Sequence, residues 1–254
     1  MSMREVDPPR PSPARVYDYL LGGRHNSKVD RDAAERVMRL WPVRELALAN
    51  RRFLIAAVRR LTREFGVRQF IDIGSGLPTE QNVHQVAAPD SRVLYVDNDA
   101  LVVAEGGNLL DGRQAGYIEG DLRDPHRIIT HPETSRLIDP TVPTALMIIG
   151  MMHYITDADD PAGIIRDLMV HLAPGSFLVV STATDTLPDE MRQAIDMYYR
   201  NPAAPLVWRS RETVERFFDG LEPVSPGLTA VEKWTDSEAA AGPWLVIAGM
   251  ARKP

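Results

Sequence analysis

The first residues that suggest a binding site are two glycines and an aspartate, because of the spacing between them. Gly74 and Gly76 directly follow the short apolar run Phe70–Ile73. Glycine lets the backbone turn tightly there and lets a ligand approach, because no Cβ stands in the way. Asp97 follows Gly76 by about 20 residues, the spacing at which an acid accepts both ribose hydroxyls of a bound nucleotide. We therefore predict that Asp97 binds a ribose, with helix capping as the alternative, whereas for Asp99 capping is favoured.

A second acid, Asp121, lies in the segment GDLRDP at 120–125, directly after the third apolar run. A carboxylate at that place can accept a hydrogen bond from the exocyclic amine of an adenine, and the N–H of Leu122 can contact the ring edge. The alternative is a polar turn closed by Pro125. Asp97 and Asp121, each at the end of a predicted strand, together indicate a ligand with an adenosine part.

A parallel sheet would bring these residues to one edge. From Val67 onward short apolar runs alternate with helical patterns, which is typical of doubly wound α/β folds. We predict a mostly parallel, seven-stranded sheet with strands at 69–73, 92–96, 115–119, 145–150, 176–182, 221–224 and 244–250. Helices are predicted at 79–87 (with Pro78 in the first turn), 100–110, 125–130, 162–172, 187–199 and 211–218, and a loop at 225–243.

The first 65 residues are predicted to form a helical extension that precedes an α/β core of residues 66–254. Residues 1–12 are rich in proline and are expected to be disordered. Helices are predicted at 14–21, 31–40 and 43–65, the first stopped by Gly22 and Gly23 and the second capped by Asp30. Two roles fit this block: a lid over the ligand, or a buttress on one face of the sheet.

The composition excludes several classes of protein. The chain has 254 residues, no cysteine and a net charge of −6. Without cysteine there can be no disulfide or thiolate metal ligand, and we expect a reducing, cytoplasmic location. No apolar run is long enough for a bilayer and no signal core precedes residue 13, so no membrane association is expected. The negative charge argues against a nucleic acid partner, and no spacing such as H-E-x-x-H predicts a metal site.

Three motifs resemble those of class I S-adenosylmethionine-dependent methyltransferases: FIDIGSG at 70–76, YVDND at 95–99 and GDLRDP at 120–125. The segments ARVYDYLLGGRHNSKVDRDAAE at 14–35 and WRSRETVERFFDGLE at 208–222 are similar to the actinobacterial S-adenosyl methyltransferase family, formerly a domain of unknown function. The resemblance spans nearly the whole chain and implies a methyltransferase fold with S-adenosylmethionine as cofactor. It also implies that the motifs supply the cofactor-binding residues, which are Asp72, Gly74, Ser75, Gly76, Asp97, Asn98, Asp121 and Leu122.

One position departs from the family pattern, because Pro78 occupies the place of the last glycine in G-x-G-x-G. We expect the methionine end of the cofactor to sit differently here, without loss of the site. An NAD-dependent oxidoreductase is a weaker alternative, since the dinucleotide fingerprint requires glycine where Thr79 stands. A protein that binds S-adenosylmethionine without transferring its methyl group is a further alternative.

The acceptor of the methyl group is predicted to be a small molecule. The segment GMMHY at 150–154 lacks the Asp/Asn-Pro-Pro-aromatic box of enzymes that methylate the amino groups of nucleobases. Methyl transfer from a sulfonium needs a base only if the acceptor must first lose a proton. His153 is the candidate catalytic base, and the alternative is a structural histidine that is hydrogen-bonded near the sheet edge.

Residues of the N-terminal block are also predicted to reach the cofactor. Arg15 and Arg51 are candidate partners for its carboxylate, because the planar guanidinium group suits that partner. A lid that closes on the cofactor would exclude water and would need a flexible hinge, which a glycine pair can provide. The predicted lid residues are Tyr17, Gly22, Gly23, His25 and Asn26, and for Tyr17 core packing on its helix is the alternative.

Overall fold

The computed structural model describes residues 10–110, 114–186, 188–190, 192–193, 206–236 and 245–254. Its strands are β1 Gln69–Ile73, β2 Arg92–Asp97, β3 Ala115–Glu119, β4 Thr144–Ile149, β5 Phe177–Ala183, β6 Glu222–Pro223, β7 Thr229–Ala230 and β8 Val246–Arg252. They form one sheet in the order β3-β2-β1-β4-β5-β8-β6, with β7 also paired to β8. Strands β1 to β5 are parallel to one another and β8 is antiparallel to β5. The prediction of a mostly parallel, doubly wound sheet is confirmed.

The first five strands are almost entirely buried, because helices cover both faces of the sheet. Alternate residues of each strand point to opposite faces. Ile71, Leu94 and Leu146 therefore join the core on one face, whereas Phe70 and Val93 join the core on the other. Strands β1 and β3 begin and end at the predicted residues.

The strand order reverses at β1, which has β2 on one side and β4 on the other. In doubly wound sheets this switch point leaves a crevice at the carboxyl ends of the strands, where ligands bind. Gly74, Asp97 and Gly120 lie at the carboxyl ends of β1, β2 and β3. The fold therefore brings the predicted site residues of the sheet to one edge.

Most of the described helices lie close to the predicted ones, but α4 is much shorter than predicted and α7 was not predicted. They are α1 Pro13–Leu20, α2 Lys28–Met38, α3 Val43–Glu64, α4 Val83–Val86, α5 Ala100–Asn108, α6 Pro125–Ile129, α7 Pro132–Leu137, α8 Pro161–Val170 and α9 Arg211–Glu215. A short 3-10 helix, Arg216–Phe218, continues the last of these.

Two predictions about helix starts are wrong. The helix predicted over 79–87 is the single turn α4, because Asn82 is its N-cap and forms a capping box with Gln85. In this box the Asn82 N–H donates to Gln85 Oε1 at 2.8 Å. Pro78 therefore precedes the helix. Helix α2 begins after Ser27, and Asp30 lies in its first turn, where its carboxylate accepts the Ser27 N–H at 2.8 Å.

The N-terminal block is joined to the sheet through α3. This helix packs Phe53, Ala57 and Leu61 against one face of the sheet. By contrast, α1 and α2 pack mainly on each other and on the start of α3, in a smaller cluster that contains Val16 and Leu20. Helix α3 thus belongs to the helical layer that covers this face of the sheet, and α1 and α2 extend beyond that layer.

Several predictions fall on residues that the structure does not describe: most of the helix at 187–199, residues 1–9 of the segment expected to be disordered, and residues 237–243 of the predicted loop. In the described part of that loop, strand β7 and the 3-10 helix Val231–Trp234 form. Among the described helices, none has the length and apolar character needed to cross a membrane. Within the same residues, no cluster of three or more histidine, aspartate or glutamate side chains could hold a metal ion.

Candidate functional site

A cavity of about 620 Å³ lies at the carboxyl ends of the parallel strands. Its walls come from the loops after β1 to β4 and from helices α1, α2 and α3. The volume is within the range of roughly 300–1,000 Å³ that is usual for small-molecule sites. The cavity brings together most of the predicted site residues, namely Tyr17, Arg51, Asp72, Gly74, Ser75, Gly76, Asp97, Asn98, Asp121, Leu122 and His153.

The turn after β1 requires glycine at both of its glycine positions. Gly74 has φ +70° and Gly76 has φ +65°, a region that favours glycine. At Gly74 a side chain would also clash, because a Cβ would lie 2.1 Å from Cγ of Met151. At Gly76 no atom of the described residues lies within 4 Å of such a Cβ. This side of the turn is therefore open to a ligand.

Asp97, at the end of β2, stabilises that turn by hydrogen bonds. Its Oδ2 accepts the Gly76 N–H at 2.9 Å, and its Oδ1 accepts the Asp99 N–H at 3.0 Å. Burial raises the pKa of Asp97 above its usual value, although these backbone hydrogen bonds oppose the shift. Each carboxylate oxygen can accept a further hydrogen bond, so ribose hydroxyls could bind without breaking the turn. Asp99 caps α5 by accepting the Leu101 N–H at 2.9 Å, as predicted.

Asp121 forms a two-point ion pair with Arg123 at the end of β3. Arg123 Nε donates to Asp121 Oδ1 at 2.9 Å and Nη2 donates to Oδ2 at 2.5 Å. The guanidinium group lowers the pKa of Asp121, so its carboxylate is charged at neutral pH. Leu122 is buried and packs in the core on one face of the sheet. A ligand that reaches Asp121 would therefore share it with Arg123.

Asp72 and Arg51 form the most unusual electrostatic feature of the cavity. Burial raises the pKa of Asp72 to about 7, against the opposing effect of Arg51. Arg51 Nη2 donates to Glu80 O at 2.9 Å and to Asn82 Oδ1 at 3.2 Å. Its Nε is buried and has no partner among the described residues. Arg51 can therefore offer a further donor to an anionic ligand.

A chain of buried hydrogen bonds connects α1 to the strand ends. Asn50 Nδ2 donates to Tyr17 Oη at 3.1 Å, and Ser181 Oγ donates to Asn50 Oδ1 at 2.5 Å. Tyr17 Oη in turn donates to Ala47 O at 3.2 Å. Burial raises the pKa of Tyr17, so its hydroxyl is neutral. Helix α1 is thus fixed beside the cavity through a side chain that also lines it.

His153 lines the cavity after β4, and its ring is neutral at pH 7. Burial lowers its pKa to about 4, and the positive charge of Arg209 adds to that shift. The Ala183 N–H donates to His153 Nδ1 at 3.4 Å, a long hydrogen bond. Because Nδ1 accepts in this arrangement, the ring proton of the neutral imidazole lies on Nε2. The geometry therefore makes Nε2 a donor.

Five predicted site residues lie outside the cavity wall: Arg15, Gly22, Gly23, His25 and Asn26. Arg15 Nε donates to the buried Asp30 at 2.8 Å instead of facing the cavity. Asn26 Nδ2 donates to Asp18 Oδ2 at 2.8 Å, and Gly23 packs so closely on Asp18 that a Cβ would lie 2.0 Å from its Oδ1. With φ +84°, Gly22 follows the end of α1. The structure gives these residues a part in the α1–α2 connection.

Some cavity residues were missed by the sequence analysis, including Asn50, Trp41 and Trp208. Asn50 carried a usable signal, since it is a polar residue on the buried face of α3 between Leu46 and Phe53. A polar side chain on an apolar helix face must find a partner. The two tryptophans carried no such signal, because their approach depends on how distant segments pack.

Comparison with known proteins gives consistent results. The family model described as S-adenosyl methyltransferase matches residues 1–254. The crystal structure of a DUF574 family protein from Streptomyces avermitilis MA-4680 is 36% identical, with a TM-score of 0.90 over 96% of this chain and 98% of that chain. A candidate methyltransferase from Thermobifida fusca YX is also 36% identical, with a TM-score of 0.90 over 98% and 99% of the two chains.

A more distant structure shares the fold alone. The magnesium protoporphyrin IX methyltransferase of Synechocystis PCC 6803, crystallised with SAH, is 14% identical, with a TM-score of 0.55 over 94% of this chain and 93% of that chain. None of the curated proteins compared with the chain matches it.

Proposed function

The chain belongs to the S-adenosyl methyltransferase family and is an S-adenosylmethionine-dependent methyltransferase, and from this premise we propose that it methylates a small molecule held in the cavity at the strand ends. One observation carries the proposal. A single cavity joins the glycine turn, Asp97 and Asp121 to a space walled by the N-terminal helices. A donor and a small acceptor can therefore lie side by side within it.

The residues at the strand ends fit the cofactor. Gly76 leaves the turn open, Asp97 has acceptor capacity for the ribose hydroxyls, and Arg51 has a free donor for the carboxylate of the methionine part. Asp121 and the N–H of Leu122 would hold the adenine. The remaining contacts are assigned to Asp72, Ser75 and Asn98. When bound, the cofactor supplies an electrophilic methyl group on a sulfonium sulfur.

The chain's own part in the reaction is mainly to position and enclose the reactants. Because the methyl group is already activated, alignment supplies much of the rate. We assign α1 and α2 the role of a lid that limits access of water. The hydrogen bonds from Asn50 to Tyr17 and from Ser181 to Asn50 support this role, since they fix α1 beside the cavity.

We assign His153 the role of a hydrogen-bond donor to the acceptor, through Nε2. A neutral imidazole could also act as a base, but a base at Nε2 would require the other tautomer. In that tautomer the Nδ1–H would face the N–H of Ala183, whose nitrogen lies 3.4 Å from Nδ1, and two donors would oppose each other. The role of donor suits the observed arrangement better.

The proposal excludes nucleic acid as the acceptor and places the reaction in the cytoplasm. A chain with a net charge of −6 offers little capacity for a phosphate backbone. The cytoplasmic location is supported only by the cysteine-free composition, which fits a reducing compartment, and it stays a prediction.

The test is calorimetry with S-adenosylhomocysteine, followed by transfer of a labelled methyl group from S-adenosylmethionine to a panel of small molecules. Asp97→Ala should weaken binding at least about tenfold, because hydrogen bonds to a carboxylate contribute roughly 1.5–3 kcal/mol each. Asp124→Ala is the matched control: Asp124 follows the same strand end as Asp121, caps α6 through the Arg127 N–H and does not line the cavity.

Three outcomes would contradict the proposal. Equal affinity of the folded Asp97→Ala variant would remove the ribose assignment. Binding without transfer to any member of the panel would favour a protein that only holds the cofactor. Tighter binding of NAD than of S-adenosylmethionine would favour an oxidoreductase.

A further inference from the structure

The cavity is divided into two ends of different chemistry. Its charged lining residues, among those the structure describes, lie at the strand-end side: Arg51, Asp72, Asp97, Asp99, Asp121 and Arg123. The other end is formed by α2, the start of α3 and residues from the C-terminal part of the chain, and carries no charge among its described residues. Its main contributors are Val37, Trp41, Val43, Leu46, Trp208 and Val246.

The apolar end is a packed structural unit. Val37, Trp41 and Leu46 form a buried cluster, and Trp208 packs against it. The rings of Trp41 and Trp208 meet edge to face, with centroids 6.3 Å apart and an angle of 64° between their planes. Rings in this arrangement offer flat apolar surface, which favours contact with another planar group.

The apolar end contains a polar group that lacks a partner among the described residues. The indole Nε1–H of Trp41 is buried and has no hydrogen-bond partner among the described residues. Buried tryptophan N–H groups are usually paired, and an unpaired one destabilises the site that contains it. An oxygen on a ligand bound beside Trp41 would supply the missing acceptor.

We propose that the methyl acceptor is an uncharged, largely apolar molecule with a planar ring system and an oxygen that accepts a hydrogen bond from Trp41. This inference rests on the proposed function, which assigns the charged end to the cofactor and so leaves the apolar end for the acceptor. A charged acceptor would lose its hydration at this end without meeting an opposite charge, which is strongly unfavourable.

Three probes with the same ring system test the inference: 2-naphthol, naphthalene and 2-naphthalenesulfonate. Each is titrated by calorimetry into the protein saturated with S-adenosylhomocysteine. We expect 2-naphthol to bind at least about tenfold more tightly than the sulfonate, because the sulfonate keeps its charge. We expect it to bind about three- to tenfold more tightly than naphthalene, which cannot accept the indole hydrogen bond.

Trp41→Phe separates the hydrogen bond from the apolar surface. It should abolish the preference for 2-naphthol over naphthalene while leaving the affinity for naphthalene nearly unchanged. Trp234→Phe is the matched control: Trp234 donates Nε1–H to Ala248 O at 2.9 Å and does not line the cavity. This control should leave all three affinities unchanged.

The result distinguishes this inference from the proposed function. Absence of S-adenosylhomocysteine binding overturns the proposed function and the inference with it. If S-adenosylhomocysteine binds, the inference alone is overturned by equal or tighter binding of the sulfonate, or by failure of all three probes to bind. An unchanged preference for 2-naphthol in Trp41→Phe overturns the role of the indole N–H.

Discussion

Replacement of Asp72 by asparagine should stabilise the cofactor-free protein at alkaline pH. Asp72 lies on β1 and is only 5% exposed, and no described residue donates a hydrogen bond to its carboxylate. Burial raises its pKa to about 7, the charge of Arg51 opposes this shift, and the charge of Asp97 adds to it. Ionisation of Asp72 in the folded protein is therefore unfavourable.

The sign and size of the effect follow from the two pKa values. The carboxyl group has an ordinary pKa of 3.8 in the unfolded chain and one of about 7 in the folded chain. Between these values the folded state keeps a proton that the unfolded state has lost, so the free energy of unfolding falls as pH rises. At 1.36 kcal/mol for each pKa unit, the loss above pH 7 has a ceiling of about 4 kcal/mol.

Asparagine does not ionise, so Asp72→Asn should remove this loss. We expect a gain of about 2 kcal/mol in the free energy of unfolding at pH 8, half of the ceiling, because a charged carboxylate can be partly relieved by rearrangement. Near pH 4 the gain should disappear, since folded Asp72 is then protonated. Urea unfolding of the cofactor-free protein at pH 4, 6 and 8, followed by circular dichroism, measures it.

Asp30 provides a matched control with the opposite sign. It is fully buried, yet its carboxylate accepts hydrogen bonds from Arg15 Nε at 2.8 Å and from the N–H groups of Ser27 at 2.8 Å and Ser12 at 2.9 Å. Burial alone would raise the pKa of Asp30, but these bonds outweigh it and lower the pKa. Asp30→Asn should therefore lose about 2 kcal/mol at pH 8, and the loss should shrink as pH falls below 4.

Two results would refute this reasoning about Asp72. One is an Asp72→Asn variant no more stable than the parent protein at pH 8, and the other is a gain that is the same at pH 4 and pH 8. The variant should also bind S-adenosylhomocysteine more weakly, since a carboxylate kept at a destabilising place is expected at a binding site.

Three further predictions concern other parts of the site. Deletion of residues 1–28 should leave a folded protein, because α3 packs on the sheet without help from α1. Calorimetry should then show an affinity for S-adenosylhomocysteine that is at least about tenfold lower, and an equal affinity would contradict the role of a lid. Arg209→Ala should cost about 3 kcal/mol in urea unfolding, because buried Arg209 donates to Met152 O at 2.7 Å and Ile155 O at 2.6 Å. Arg211→Ala, at a partly exposed position, should cost less than about 0.5 kcal/mol, and equal losses would exclude this explanation. Nitrogen NMR should find His153 as the neutral Nε2–H tautomer with no titration between pH 8 and pH 5; protonation within that range would contradict its assigned role.

The strand-end part of the site could be predicted because its signals are local. A buried parallel strand is a short apolar run, and the glycine turn and the acids stand at fixed places after such runs. The start of α4 could not be predicted as safely, since Pro78 and Asn82 are both start signals. Asn82 prevails because its capping box with Gln85 forms there, while Gln81, at φ +60°, precedes it outside the helix.

The partners of long side chains could not be predicted from the sequence. Arg15 was expected to pair with the cofactor's carboxylate, but it meets Asp30 after the α1–α2 connection folds back. Arg51, its equivalent candidate on α3, does line the cavity. Nothing in the local sequence distinguishes the two arginines, because the choice depends on how α1 packs against α2.

The construction of the cavity separates its charged end, to which we assign the cofactor, from its apolar end, to which we assign the acceptor. Asp97 and the glycine turn are held by strands whose side chains are fixed in the main core, whereas Trp41 belongs to a smaller cluster with Val37 of α2, Leu46 of α3 and Leu245. The two ends meet at the buried hydrogen bonds of Asn50 with Tyr17 and Ser181. Since the smaller cluster contributes no residue to the glycine turn, we expect substitutions within it to alter the choice of acceptor without altering the affinity for the cofactor.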